Sequence, residues 1–128
     1  MSLSMTTTDK RQSLGKLGED LACGELGRRG YEVLARRYRT RAGEIDIVAR
    51  DGDTIVFVEV KARKTGAYGG AAAAVVFRKQ HRIAHMASDY LCRNRLHNRP
   101  CRFDVVAIDF NDGHPRVAVY THAFALTG

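Results

Sequence analysis

The amino-acid sequence predicts an α/β protein whose central mixed β-sheet is flanked by helices. Apolar residues recur at helical spacing in two separate segments, and runs of alternating or β-branched residues typical of strands lie between and after them. The chain has 128 residues, of which 45% are apolar, so it is long enough to bury the core of one domain. The predicted order of elements is αβββαββ.

The first half of the chain is predicted to form one helix and three strands. Helical spacing of leucines and alanines predicts a helix over residues 12–29 that stops at Gly30. The strands are predicted over three ranges, residues 31–38, 44–50 and 54–61. The second and third are joined by Asp51-Gly52, which is the strongest short hairpin signal, and the third is a β-branched run typical of a central strand.

The second half is predicted to contain a loop, a helix and two strands. A Gly- and Ala-rich segment, residues 65–74, predicts a mobile loop able to cross the mouth of a site. A helix is predicted over residues 77–94, with Gln80 on its packed face and a basic face opposite. Alternation predicts strands over residues 101–109 and 116–121, joined by an Asn-Asp-Gly turn.

The N-terminal segment, the cysteines and the apolar runs predict the domain bounds and the location of the protein. Residues 1–10 are interpreted as a disordered segment that is partly an expression tag, and residues 11–128 as a single domain. Three cysteines without Cys-x-x-Cys spacing predict neither a disulfide framework nor a zinc site, and they suit a reducing cytosol. No apolar run approaches the roughly 18 residues of a membrane span. The protein is therefore expected in the cytoplasm, without a membrane partner.

The charge of the chain favours a polyanionic partner. Its 21 Lys and Arg residues exceed its 14 Asp and Glu residues, which gives a net charge of +7, and nucleic acid is the commonest partner of such proteins. Arginines concentrate between residues 28 and 41, and a planar guanidinium suits phosphate. A merely solvated basic surface is the alternative. The candidate nucleic-acid-binding residues are Arg36, Arg37, Arg39, Arg41, Arg63, Lys64 and Lys79.

Charged residues on two neighbouring predicted strands suggest a chemical site. Side chains alternate along a strand, so Glu59 and Lys61 point the same way, as do Glu44 and Asp46. If the hairpin loop consists of its two signal residues, Asp46 lies opposite Phe57 and Glu44 opposite Glu59, and all four charged side chains share one face. A three-residue loop would instead send Asp46 to the other face.

Carboxylates gathered on one sheet face repel each other unless a cation offsets the charge. Mg²⁺ or Mn²⁺ would do so, with Asp46, Glu59 and the backbone carbonyl of Val60 as oxygen ligands. Lys61 could then orient or deprotonate an attacking water, or neutralise charge on a phosphate. The alternative for Glu-x-Lys on a strand is an exposed cross-strand charge pair. Its position after an apolar run, with a second acid inside another apolar run across the hairpin, favours the site.

At these residues the sequence resembles the UPF0102, or YraN-like, family. Members of that family carry a Gly-Glu-x-x-Ala helix, a Gly-Glu-Ile-Asp strand and a Phe-Val-Glu-Val-Lys strand. The corresponding segments here are Gly18-Glu19-Asp20-Leu21-Ala22, Gly43-Glu44-Ile45-Asp46 and Phe57-Val58-Glu59-Val60-Lys61, and Arg102-Phe103-Asp104-Val105 resembles the late strand of the family. The similarity spans residues 14–108.

The resemblance implies a restriction-endonuclease-like core related to archaeal Holliday-junction resolvases, with a metal-binding PD-(D/E)xK motif. Asp46 and Glu59 then resemble the metal ligands, and Lys61 the catalytic lysine. Ile45 stands where the motif has its proline, a mild departure. The whole of residues 11–128 would form a single nuclease-like domain.

Two further site residues come from the same resemblance. Glu19 resembles a helix glutamate that contacts the metal or its water, although helical spacing alone would favour Glu25. Gln80 resembles a polar residue that the second helix aims at the site, and its place on the packed face calls for a polar partner. The alternative for Gln80 is a helix-start residue bonded to backbone.

The expected function is therefore a Mg²⁺- or Mn²⁺-dependent endonuclease that hydrolyses branched or otherwise structured DNA with water as the nucleophile. One alternative is a DNA- or RNA-binding protein that keeps the fold without efficient cleavage. Another is an interaction module recruited to DNA repair or recombination assemblies. By analogy with resolvases, which cut two strands symmetrically, a homodimer is a further option.

Overall fold

The computed structural model describes residues 7–63, 77–110 and 114–124. They form an α/β fold in the predicted order αβββαββ. The elements are α1 (Thr7–Arg28), β1 (Glu32–Thr40), β2 (Gly43–Asp51), β3 (Thr54–Arg63), α2 (Phe77–Arg93), β4 (Cys101–Asp109) and β5 (Arg116–Phe124). The predicted mobile loop over residues 65–74 and the Asn-Asp-Gly turn at residues 111–113 lie outside the described residues.

The five strands form one mixed sheet in the order β1-β2-β3-β4-β5. Neighbouring strands are antiparallel except β3 and β4, which are parallel. A parallel pair needs a long crossover connection, and α2 lies in that connection. The central mixed sheet predicted from the sequence is therefore confirmed.

The helices cover opposite faces of the sheet. Along β3, Phe57 packs with Tyr90 of α2, whereas the adjacent Val56 and Val58 pack with Leu26 of α1. Because successive strand residues point to opposite faces, α1 and α2 must lie on different sides. Neither helix in the described part of the chain is long and apolar enough to cross a membrane.

Helix α1 begins earlier than the sequence predicts and ends at Arg28, one residue before the predicted end. It starts at Thr7, so residues 7–10, which we assigned to a disordered segment, are helical. At its end, Gly30 adopts φ +89° and donates to the carbonyl of Gly27, while Tyr31 donates to the carbonyl of Leu26. This Schellman arrangement satisfies the last helix carbonyls and needs a left-handed residue, which glycine adopts readily.

The register between β2 and β3 differs from the prediction. Asp51 pairs with Thr54, so the two-residue loop lies one position further along the chain than we predicted. Phe57 consequently pairs with Val48, and its predicted pairing with Asp46 is wrong. The partner of each β3 residue is therefore displaced by two residues along β2. Because side chains alternate with a period of two, this shift keeps each side chain on its predicted face.

Strand β5 continues past residue 121, where the sequence predicted its end. Its pairing with β4 shifts between Val105, opposite Tyr120, and Phe103, opposite Phe124. His122 lies within this bulge with φ +54°. The extra residues interrupt the alternation that marks a strand in the sequence, and the pairing then resumes.

Candidate functional site

Asp46 lies where β2 and β3 stop pairing as regular strands. The pairing reaches Ile47 opposite Val58, and beyond it the carboxylate of Asp46 accepts a hydrogen bond of 2.8 Å from the backbone N–H of Val60. Ile45 packs on the α2 side and Ile47 on the α1 side, so the side-chain alternation is interrupted at Asp46. The carboxylate of Asp46 therefore takes the place of a backbone acceptor beside β3.

This interruption corrects the predicted arrangement on β2. Continuation of the observed register places Asp46, and not Glu44, opposite Glu59. Glu44 instead pairs with Arg39 across the β1–β2 hairpin, with 3.0 Å between Arg39 Nε and the carboxylate. We predicted that Glu44 and Asp46 share one face of the sheet. Because the alternation of side chains breaks at Asp46, regular spacing no longer supports that prediction.

Glu59 and Lys61 share the face of the sheet that α2 covers. Val58, Val60 and Ala62 all pack with the core on the α1 side. Glu59 and Lys61 alternate with these three residues, so their half-buried side chains point to the opposite face. The predicted pairing of these two charges on one face agrees with this packing.

Helix α2 carries Gln80 toward the same end of the sheet. Tyr90 lies over Phe57, with 6.0 Å between ring centroids, and Ile83 lines a small cavity together with Glu59. The helix thus runs antiparallel to β3, and half-buried Gln80, one turn before Ile83, lies beyond Glu59 along the strand. The remaining lining residues of the cavity are Ile45, Phe57, Val58, Phe103 and Asp104.

Glu19 lies on the other face of the sheet. It is only 8% exposed, and Arg37 Nε donates to both of its carboxylate oxygens, at 3.0 and 3.1 Å. Arg36 lies 3.5 Å away. The preceding residue, Gly18, packs so closely on β3 that a Cβ there would stand 3.1 Å from that of Ala62. Glu19 is therefore near the end of β3, but on the α1 side and already paired.

These positions determine which predicted ligands come together. Asp46 is bonded to the residue that follows Glu59, so Asp46 and Glu59 are adjacent residues on neighbouring strands, whereas Glu19 is separated from Glu59 by the sheet. Within the described ranges, no three His, Cys, Asp or Glu side chains are placed to hold a metal ion together. The oxygen donors of Asp46, Glu59 and Val60 do suit Mg²⁺ or Mn²⁺, because Mg²⁺ uses few protein carboxylates and completes its shell with waters and phosphate.

The arginines predicted to bind nucleic acid are mostly engaged in ion pairs. Arg36 contacts Asp20 at 2.7 Å, Arg37 contacts Glu19, and Arg39 contacts Glu44. Arg41 is exposed in the turn between β1 and β2. The side chains of Arg63, Lys64 and Lys79 lie outside the described residues. The positive charge of the arginine-rich segment is therefore largely balanced within the fold.

Sequence reasoning missed a buried charge cluster at β4. Asp104 is 0% exposed; Arg102 Nε donates to both of its oxygens, at 3.1 and 3.4 Å, and the His122 N–H donates to it at 3.1 Å. Arg102 also donates to Asp51 and to the hydroxyl of Tyr31. Arg-x-Asp within an apolar strand, which places both charges on one face, was the available signal.

This cluster joins four strands or strand ends. Burial, and then the charge of Asp104, raise the pKa of Tyr31, so its hydroxyl stays protonated as a donor. The Arg102 guanidinium also lies over the Tyr31 ring, 5.3 Å from its centroid. Every charge in the cluster is paired, which is the condition under which buried charges are tolerated.

The comparisons with known proteins agree with the motifs. A family model described as "Uncharacterised protein family UPF0102" matches residues 18–108. A UPF0102 protein of Anaeromyxobacter dehalogenans (strain 2CP-C) is 46% identical over 116 residues, which cover 91% of this chain and 87% of the relative. A UPF0102 protein of Pseudomonas aeruginosa (strain LESB58) is 42% identical over 123 residues, 94% of this chain and 98% of that protein. The chain belongs to the UPF0102 family.

Proposed function

We propose that the protein is a Mg²⁺- or Mn²⁺-dependent endonuclease that hydrolyses phosphodiester bonds in branched or otherwise structured DNA. The observation that carries the proposal is the hydrogen bond from Val60 N–H to the Asp46 carboxylate, at 2.8 Å. It holds the acid of β2 beside Glu59 of β3, at the point where the strands separate. Lys61 follows on the same face as Glu59, which gives two carboxylates and an ammonium group around one end of the sheet.

Each of these residues has a role that its position supports. Asp46 and Glu59 would hold the cation, with the Val60 carbonyl as a further oxygen donor. The cation would supply charge neutralisation at the scissile phosphate and ease deprotonation of the attacking water. Lys61 would orient that water or accept its proton, and Gln80, arriving from α2, would position the water or the phosphate by hydrogen bonding.

The substrate class rests on charge and on resemblance. A net charge of +7 favours binding to a phosphate backbone. The choice of branched DNA over RNA or plain duplex follows from the relation to archaeal Holliday-junction resolvases that the family resemblance implies. Family membership supports the carry-over of those motifs, since the matched region contains all three.

A nucleic-acid-binding protein that does not cleave is the second candidate. It is favoured by one specific observation, the engagement of Glu19 with Arg37 and Arg36 on the opposite face from Glu59. With that acid paired, the described residues offer two neighbouring carboxylates and no third. A protein of this kind would bind DNA equally well with and without a divalent cation.

Cleavage of labelled four-way-junction, flap, single-stranded and duplex DNA, with Mg²⁺, Mn²⁺ or EDTA, tests the proposal. Asp46→Asn and Glu59→Gln should abolish cleavage, and Lys61→Ala should lower its rate by about 10²- to 10⁴-fold. Glu32→Gln, which alters an exposed acid of β1, is the matched control and should cleave as the parent does. Binding without cleavage under every condition would favour the second candidate.

Metal binding is measured separately from activity. Titration calorimetry with Mn²⁺ should show affinity that falls about tenfold or more in Asp46→Asn and Glu59→Gln but is unchanged in Glu32→Gln. Equal affinity in all four proteins would place the metal elsewhere. An absence of Mn²⁺ binding by the parent protein would contradict metal-dependent catalysis.

A further inference from the structure

We propose that the turn–helix surface, defined as Arg41, Arg82 and His85, binds the phosphate backbone of DNA beside the candidate active site. The inference rests on the proposed function and names the surface that would position its substrate. It keeps Arg41 from the residues that the sequence predicted to bind nucleic acid, and it adds Arg82 and His85, which were not among them. All three residues of the surface are exposed.

The β1–β2 turn and α2 lie side by side. Gly43, the first residue of β2, packs against α2 so closely that a Cβ there would stand 3.4 Å from Cδ of Arg82 and 3.6 Å from the sulfur of Met86. Gly43 has φ +142°, a conformation that favours glycine, and its missing side chain leaves room for the stem of Arg82. Arg82 is thereby held against the turn that carries Arg41.

The turn itself is ordered by hydrogen bonds. Thr40 Oγ1 accepts the N–H of Ala42 at 3.0 Å and donates to the carbonyl of Gly43 at 3.3 Å. Arg41 stands at the tip of this turn, between the two bonded residues. On α2, His85 lies one turn after Arg82 on the same side of the helix. The surface therefore presents cationic and hydrogen-bonding groups from two fixed elements.

The charges of this surface are available, unlike those of β1. Arg36, Arg37 and Arg39 each contact an acid. Among the residues that the structure describes, Arg41 and Arg82 have no ion pair with an acidic side chain. An unpaired exposed guanidinium can release condensed counterions from a phosphate backbone without first losing a protein partner. The largest contribution to phosphate binding should therefore come from Arg41 and Arg82.

The surface adjoins the candidate active site. Arg82 is followed by Ile83, which lines one cavity with Glu59, and Gly43 lies three residues before Asp46 on β2. Three strand residues span about 10 Å, which corresponds to roughly three base-pair steps of a duplex. A strand bound by its phosphates along this surface would therefore place a phosphodiester near Asp46 and Glu59.

Binding without cleavage tests the inference. Fluorescence anisotropy with a labelled four-way junction and a duplex, in EDTA and at several salt concentrations, would compare the parent with Arg41→Ala/Arg82→Met. Methionine keeps the apolar stem that packs on Gly43 and removes the charge. The matched control is Arg28→Ala/Arg50→Ala, which removes two exposed arginines at the opposite end of the sheet. Thermal unfolding followed by circular dichroism would verify that both variants fold.

We expect Arg41→Ala/Arg82→Met to bind at least tenfold more weakly, with a salt slope smaller by about two, since each lost phosphate contact removes about one. The control should stay within twofold of the parent. Equal losses in both variants, or none in either, would overturn the surface and leave the endonuclease proposal intact. No DNA binding by the parent at any salt concentration would overturn both. If the parent cleaves DNA and Arg41→Ala/Arg82→Met binds DNA as tightly as the parent, only the proposed binding surface would be wrong.

Discussion

Arg37 Nε lies 3.0 and 3.1 Å from the two carboxylate oxygens of Glu19, and the backbone of this arginine has φ +53°. An L-residue other than Asn or Asp rarely adopts that left-handed conformation, because Cβ crowds the following carbonyl. The ion pair that neutralises the buried acid of α1 is thus made by a residue of β1 whose backbone is itself strained. The two effects can be separated by substitution.

Replacement of Arg37 by glycine should cost less stability than replacement by alanine. Both variants lose the contact with Glu19, but only glycine adopts the left-handed conformation without strain. We expect the free energies of unfolding of the two variants to differ by about 1 kcal/mol for this reason. Urea unfolding would measure the difference as a higher midpoint for Arg37→Gly at equal slope. Equal midpoints would mean that the backbone at this position relaxes when the guanidinium is lost.

Arg95→Gly should stabilise the protein. Arg95 follows the end of α2 with φ +56°, while Leu96 donates to the carbonyl of Leu91 at 2.8 Å, so it occupies the position that glycine prefers in a Schellman motif. We expect a gain of about 0.5–1 kcal/mol in the free energy of unfolding. Arg93→Gly, within the last helical turn, is the control and should instead destabilise.

Asp104→Asn should destabilise strongly. The substitution removes the fully buried counter-charge of Arg102 and leaves it, among the described acids, only Asp51, whose side chain is 43% exposed. Removal of one partner from a buried ion pair typically costs about 3–5 kcal/mol. Asp53→Asn removes a similar ion pair, with Arg99 at 3.0 Å, from an acid that is 86% exposed, and should change stability by less than about 1 kcal/mol. Similar losses in both variants would contradict the role assigned to burial.

Stability should fall as the pH rises above about 10. Burial raises the pKa of Tyr38, as does its hydrogen bond to Asp89, and burial raises the pKa of Tyr90. The folded state therefore retains protons that the unfolded chain loses, so the free energy of unfolding decreases with pH until the folded tyrosines ionise. Tyr38→Phe should flatten this alkaline decline, measured by urea unfolding at a series of pH values. An unchanged slope would exclude Tyr38 as a contributor.

The class of fold was predictable because it depends on short-range patterns. The period of apolar residues determined two helices and five strands, and Gly30 marked the end of α1 because left-handed caps favour glycine. The bounds of β4 were predicted without error, because an apolar run lies there between a proline and a polar turn. Asp46, Glu59 and Lys61 were chosen as candidate site residues from charges set within apolar strands and from the motifs of the family.

Only the tertiary structure decided how these residues meet. The register between β2 and β3 depends on whether the two-residue loop is Asp51-Gly52 or Gly52-Asp53. The sequence allows both loops, and the structure has the second. The break in alternation at Asp46 arises from its bond to Val60, a contact across two strands that no local pattern encodes. The balance of charge on the arginines likewise depends on which acids the fold places beside them, since an ion pair joins residues distant in sequence. The composition determined the net charge, whereas the tertiary packing determined which arginines form ion pairs with acids.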